Sequence, residues 1–156
     1  IADVSGQVIV APIDAQNKSL DYLQIAAIAY GLIVLLLLVK AIVDLISLTK
    51  LLRNQKVVKC ENYSFVDLKA EIAPFSFFNY IVYNSNLYTQ NELENILQHE
   101  KIHSQQKHSF DLLIAKLFCI VFWFNPFIWL YKKSIVQNLE YIADSEAMLF
   151  LEDKTT

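Results

Sequence analysis

Between Leu23 and Val39 the chain reads LQIAAIAYGLIVLLLLV without one charged residue, and this stretch limits what the rest can be. Apolar residues cover every face of the helix it would form, and a helix of roughly 20 such residues crosses a bilayer. The pattern resumes beyond Lys40 as AIVDLISLTKLL. Lys40 is placed to snorkel to the interface, and Ile42 to Leu52 is predicted to continue the helix as an amphipathic stalk. No small-residue cleavage site follows, which argues against a signal peptide. With 55% hydrophobic residues, two glycines and three prolines, the chain is helix-rich and too apolar for an ordinary soluble domain.

The flanks of this segment differ in charge. Asp3, Asp14 and Asp21 stand against Lys18 on the leading side, where Gly6 and Pro12 break any regular pattern; Lys40, Lys50, Arg53, Lys56 and Lys59 follow it. Such a bias places the later side in the cytosol. The expected division is an extracytoplasmic loop over 1–22, a transmembrane helix with its extension over 23–53, and a cytoplasm-facing domain over 54–156. A chain that starts at Ile1 and stops just past a helical pattern reads as part of a longer protein. The net charge of −3 and the absence of a basic stripe exclude direct nucleic-acid binding. Cys60 and Cys119 have no CxxC spacing and read as two reduced thiols.

From Lys56 to Tyr88 the pattern turns to short β-rich runs, VVKC, YSFVDL and YIVYN, which fit a sheet of two to four strands. Thr89-Gln90-Asn91-Glu92 then matches a capping box, so a helix is predicted from here to at least His108. Phe110 to Tyr131 is a second apolar run, interrupted by Asn125-Pro126, where a proline breaks or kinks a helix. A last helix is predicted over about Pro126 to Leu151. The expected fold class is α+β, mostly helical and membrane-associated, with a small sheet.

The chemistry is concentrated in His99-Glu100-Lys101-Ile102-His103, an H-E-x-x-H on the capped helix. Helical positions four apart differ by only about 40° in direction and roughly 6 Å in height, so the two imidazoles project together toward one ion. Glu100 lies about 60° around from His103, within reach of water at that ion and badly placed to be a ligand itself. These residue types point to Zn2+, with His99 and His103 as ligands and Glu100 as the general base of a peptide hydrolysis. A catalytic zinc takes three protein ligands and keeps one position open. Candidates for the third are His108, Glu140, Asp144 and Glu146. His108 points about 140° away from His103 and would serve only if the helix broke; it reads as an ordinary surface or interface histidine. Glu140 and Asp144 share one helical face, so one can bind the metal while the other orients a ligating histidine. Tyr141 points from another face, and no residue stands out to stabilise an oxyanion.

The two motifs must meet on one side of the membrane although an apolar run separates them. The 22 residues from Phe110 to Tyr131 are too few for two crossings. The run is therefore predicted to form a re-entrant or buried helical hairpin turning near Asn125-Pro126.

Three stretches in this order, HEKIHSQQKHS, WFNPFIWL at Trp123 to Leu130, and EYIAD at Glu140 to Asp144, together with Pro74-Phe75-Ser76-Phe77-Phe78, resemble the BlaR/MecR-type membrane peptidases, the antirepressor branch of the gluzincins. The likeness covers roughly residues 20–150. It implies a gluzincin-like zinc endopeptidase in the bacterial cytoplasmic membrane with its active site on the cytoplasmic side. It implies zinc held by His99, His103 and Glu140, a catalytic Glu100, and Asp144 behind the ligands. Such proteins act in signal transduction, cleaving a transcriptional repressor or themselves, and carry further membrane helices and often a sensor domain. No sensor lies in this chain, so no sensed ligand is implied. In gluzincins an edge strand beside the zinc helix pairs with substrate, and Asn79 to Asn84, with Tyr80, Ile81 and Val82, is the strand expected to do so. Two alternatives share parts of the pattern. One is a housekeeping membrane gluzincin of the HtpX or prenyl-protein protease type, which the WFNP stretch and the short apolar run disfavour. The other is a catalytically silent signalling scaffold, which the intact H-E-x-x-H disfavours.

Overall fold

The computed structural model describes residues 21–60 and 62–155, so most of the loop expected over 1–22 lies outside the described residues. One unbroken helix, α1 (Tyr22–Arg53), takes in both the uncharged run and its predicted extension. Among the described residues it is the one helix long and apolar enough to cross a membrane. Much of its apolar stretch is uncovered: Leu23, Leu32, Leu35 and Leu36 are all more than half exposed. Only the far end of α1 enters a protein core.

That core lies under a four-stranded sheet. β1 (Val57–Cys60) and β2 (Tyr63–Asp67) form an antiparallel hairpin, β3 (Phe75–Phe77) and β4 (Tyr80–Tyr83) form another, and β2 pairs parallel with β4. The strand order is β1-β2-β4-β3. Leu52 at the end of α1 joins Val66, Leu68 and Val82 in a fully enclosed cluster, with Leu48, Phe75, Phe77 and Tyr80 packed around it. Burying Leu52 ties the long helix to the sheet with about 1.5–3 kcal/mol of apolar transfer energy.

The strand order corrects the expectation for Tyr80, Ile81 and Val82. β4 is hydrogen-bonded on both sides, to β2 and to β3, and Ile81 and Val82 are completely buried. It is an interior strand with no free edge for a peptide. An apolar run reads alike at an edge or in the interior; burial on both faces marks this one as interior. The edge beside the helices is β3.

A 3-10 turn (Ser85–Leu87) leads into α2 (Gln90–Gln105), and the predicted capping box is present in full. Glu92 Oε2 accepts from the Thr89 main-chain N–H at 2.9 Å, and Thr89 Oγ1 accepts from the Glu92 main-chain N–H at 3.4 Å. α2 does not continue to His108. Lys107 takes a left-handed conformation, φ 57°, and a separate helix, α3 (His108–Val121), begins there. The left-handed residue just past the cap is a common way to end a helix, although glycine usually fills it.

The second apolar run forms a helical hairpin. α3 ends at Val121 and α4 (Pro126–Thr155) begins at the proline. Asn125 Oδ1 accepts the Phe127 main-chain N–H at 3.0 Å, so Asn-Pro acts as an N-cap followed by a proline in the first helical position. α3 also lies along α1, where the Tyr30 hydroxyl donates to the Val121 carbonyl at 2.6 Å and Lys116 pairs with Asp44 at 3.6 Å.

Candidate metal centre

Three elements converge on one point. α2 carries His99, Glu100 and His103, α4 brings Glu140 and Asp144 beside them, and β3 closes the third side. Ala143 marks where α4 is most deeply packed. It lies between Glu140 and Asp144 in sequence and is completely buried, so α4 packs closely at this point.

Nε2 of His99 and Nε2 of His103 lie 3.0 Å apart. Glu140 Oε2 is 3.5 Å from the first and 3.8 Å from the second. Donor atoms of the three all fall within 4.8 Å of one another. Around a tetrahedral zinc with bonds near 2.0 Å, neighbouring nitrogen and oxygen donors stand about 3.3 Å apart, inside the spread seen here. Two imidazole nitrogens and one carboxylate oxygen form a donor set that suits zinc and leaves a position free. The residues present therefore fit such an ion.

Behind the donors, His99 Nδ1 is 3.0 Å from Asp144 Oδ1. A carboxylate only accepts, so the ring holds its proton on Nδ1 and presents a bare Nε2 to the shared point. His103 is supported differently. Its Nδ1 is 2.7 Å from Nδ1 of His108, which the break after α2 swings inward and buries to 3% exposure. Burial pushes both His103 and His108 below the ordinary imidazole value, which favours their neutral forms. His108 is thus no surface histidine. The condition under which it would turn toward the site, a break in the helix, is met by a lysine in a left-handed conformation, which nothing in residue composition announces.

Glu100 is 8% exposed, and burial pushes its carboxyl above the usual carboxylate range. The Ser76 hydroxyl, the nearby His99 and the Ser76 main chain oppose that rise, while the charge of Glu140 adds to it. β3 is held in place at its turn. Phe78 sits at φ 50°; its N–H donates to Ser109 Oγ at 2.9 Å, and its carbonyl accepts from the Ser104 hydroxyl. A cleft of about 450 Å³ opens beside His99 and Glu100, bounded by Pro74, Asn95, Ile96 and Met148. Glu146 lies outside the donor cluster and bonds to Gln106, and Tyr141 is 74% exposed.

Comparison with known proteins places the chain among peptidases. A family model described as BlaR1 peptidase M56 matches residues 2–156. A segment of 72 residues is 31% identical to the regulatory protein BlaR1 of Bacillus licheniformis; the match takes in 44% of this chain and 12% of that regulator.

Proposed function

The chain belongs to the BlaR1 peptidase M56 family, and from that premise we propose that it is a membrane-embedded zinc endopeptidase whose site is formed by His99, His103, Glu140 and Glu100. The observation that carries this reading is the convergence of two Nε2 atoms and one carboxylate oxygen from separate helices beside a buried glutamate. Zinc bound there would supply Lewis-acid activation of water and of the scissile carbonyl. Glu100 takes the proton from the attacking water and returns it to the departing amine nitrogen. Asp144 holds His99 in the tautomer that offers Nε2. Substrate lies in the cleft bounded by Pro74 and Met148, alongside β3, the edge strand on that side of the sheet.

The hairpin's dimensions support membrane embedding. α3 has 14 residues and rises about 21 Å, short of the roughly 30 Å of a bilayer core. Its tip nonetheless sits beside Tyr30, inside the uncharged run of α1. If α1 spans the bilayer, the hairpin must dip into it and return. Phe124, Phe127, Trp129 and Leu130 around the tip are each at least half exposed, as lipid-facing residues would be. Asp44 meets Lys116 toward the positive-flanked end, which neutralises both charges where the helices leave the apolar layer. The site then lies at the cytoplasmic surface of a bacterial inner membrane, and the substrate is a protein, with a transcriptional repressor or the chain itself as candidates.

The test is peptide cleavage by detergent-solubilised protein together with its metal content. Glu100→Gln is expected to keep zinc and lose cleavage by about 10²-fold or more. Cleavage undiminished in that variant would contradict the mechanism.

A further inference from the structure

At the break between α2 and α3 a chain of polar groups leads away from the metal site. His103 Nδ1 meets His108 Nδ1 at 2.7 Å, His108 Nε2 meets Gln106 Oε1 at 2.9 Å, and Gln106 Nε2 donates to Glu146 Oε1 at 2.6 Å. With both histidines neutral, one arrangement of protons satisfies every link. The Glu146 carboxylate only accepts, so the Gln106 amide turns its NH2 toward it and its carbonyl oxygen toward His108. A neutral His108 must then carry its proton on Nε2, which leaves Nδ1 as a bare acceptor. His103 consequently carries its own proton on Nδ1, and its Nε2 lone pair faces His99 and Glu140.

We propose that His108 is a positioning residue that locks His103 into its metal-binding tautomer and ring orientation, with Gln106 and Glu146 anchoring the relay to α4. The proposal rests on His99, His103 and Glu140 being metal ligands and goes beyond it, because it assigns a role to a histidine that binds no metal. α4 thereby acts on the site at three points. It contributes the donor Glu140, it fixes His99 through Asp144, and it fixes His103 through Glu146, Gln106 and His108. A shift of α4 along α2 would disturb all three together, so the position of this helix sets the metal affinity.

Two substitutions separate the hydrogen bond from the shape of the ring. His108→Asn places an amide oxygen close to where Nδ1 lies and preserves the acceptor; His108→Phe fills the ring's volume without one. Zinc affinity is measured by chelator competition on the full chain in detergent, and the tautomer of His103 by long-range proton–nitrogen NMR of histidine-labelled protein. His108→Phe is expected to bind zinc about 10- to 100-fold more weakly and to lose the single Nδ1–H form of His103, with the helical circular dichroism unchanged. His108→Asn is expected to stay close to the wild type in both. If His108→Phe keeps wild-type affinity and tautomer while His99→Ala loses zinc, the positioning role is overturned and the metal site stands. If the asparagine variant is as weak as the phenylalanine one, shape rather than the acceptor is responsible, which also overturns the role. A wild type that binds no zinc overturns both readings.

Discussion

Asp144 Oδ1 lies 3.0 Å from His99 Nδ1, on the side of the ring opposite the nitrogen that faces His103. The carboxylate is well exposed, so this contact contributes little to folding, yet it determines which nitrogen of His99 carries the proton. Asp144→Ala is expected to weaken zinc binding about 10- to 100-fold while barely moving the melting temperature. Asp144→Asn, which retains an oxygen acceptor, should fall between. Equal affinity in all three proteins would show that Asp144 does not orient the ligand.

Ala143 is completely buried on α4 between Glu140 and Asp144, so enlarging it tests the packing beneath the chemistry. Ala143→Leu is expected to force the helices apart, costing about 1–3 kcal/mol of stability by overpacking. Zinc affinity should fall as well, although no donor has been changed. Ala143→Gly leaves the approach open and should preserve zinc binding. A leucine variant with undiminished affinity would mean that the helix separation does not govern the donor geometry.

The turn at Phe78 holds β3 against α2 and α3 through Ser104 and Ser109. Because Ser104 and Ser109 are buried and the turn is in the left-handed region, each serine-to-alanine change leaves a main-chain group of Phe78 without its partner. Each is expected to cost about 1–3 kcal/mol in chemical denaturation. Losses well below this range would show that water replaces the serines and that the turn is not clamped.

The capping box gives α2 a pH dependence of known sign. Hydrogen bonds from the Thr89 main chain and then its hydroxyl hold the Glu92 carboxyl below its ordinary value near 4.5. A depressed carboxyl stabilises the fold above its unfolded pKa, and the stabilisation disappears as pH falls through the folded value. Wild type should therefore exceed Glu92→Gln in stability at neutral pH and converge with it on acidification below 4.5. A constant difference at all pH values would contradict the assignment.

Much of this arrangement is legible in the residues. The uncharged run, the Thr89 capping box, the runs that become β1, β2 and β4, and the Asn125-Pro126 turn each carry a local signal strong enough to survive folding. Helical spacing alone brings His99 beside His103, and Glu140 beside Asp144. Three features depend on tertiary structure. β3 is only three residues long, too short for alternation to show, and without it β4 reads as an edge. The end of α2 at Lys107 carries no glycine or proline, so the predicted helix ran through it and sent His108 the wrong way. The burial of Ala143 arises only once α4 packs against its neighbours.

The central claim is that His99, His103 and Glu140 hold one metal ion while Glu100 stands beside it unligated. Metal content of the detergent-purified chain tests it most directly, measured for wild type, His99→Ala, Glu140→Ala and Glu100→Ala after zinc is added and excess removed. The account predicts about one zinc per chain in wild type and Glu100→Ala, and loss of that zinc in the other two. Folded wild-type protein without zinc, or zinc lost from Glu100→Ala and retained by Glu140→Ala, would contradict it.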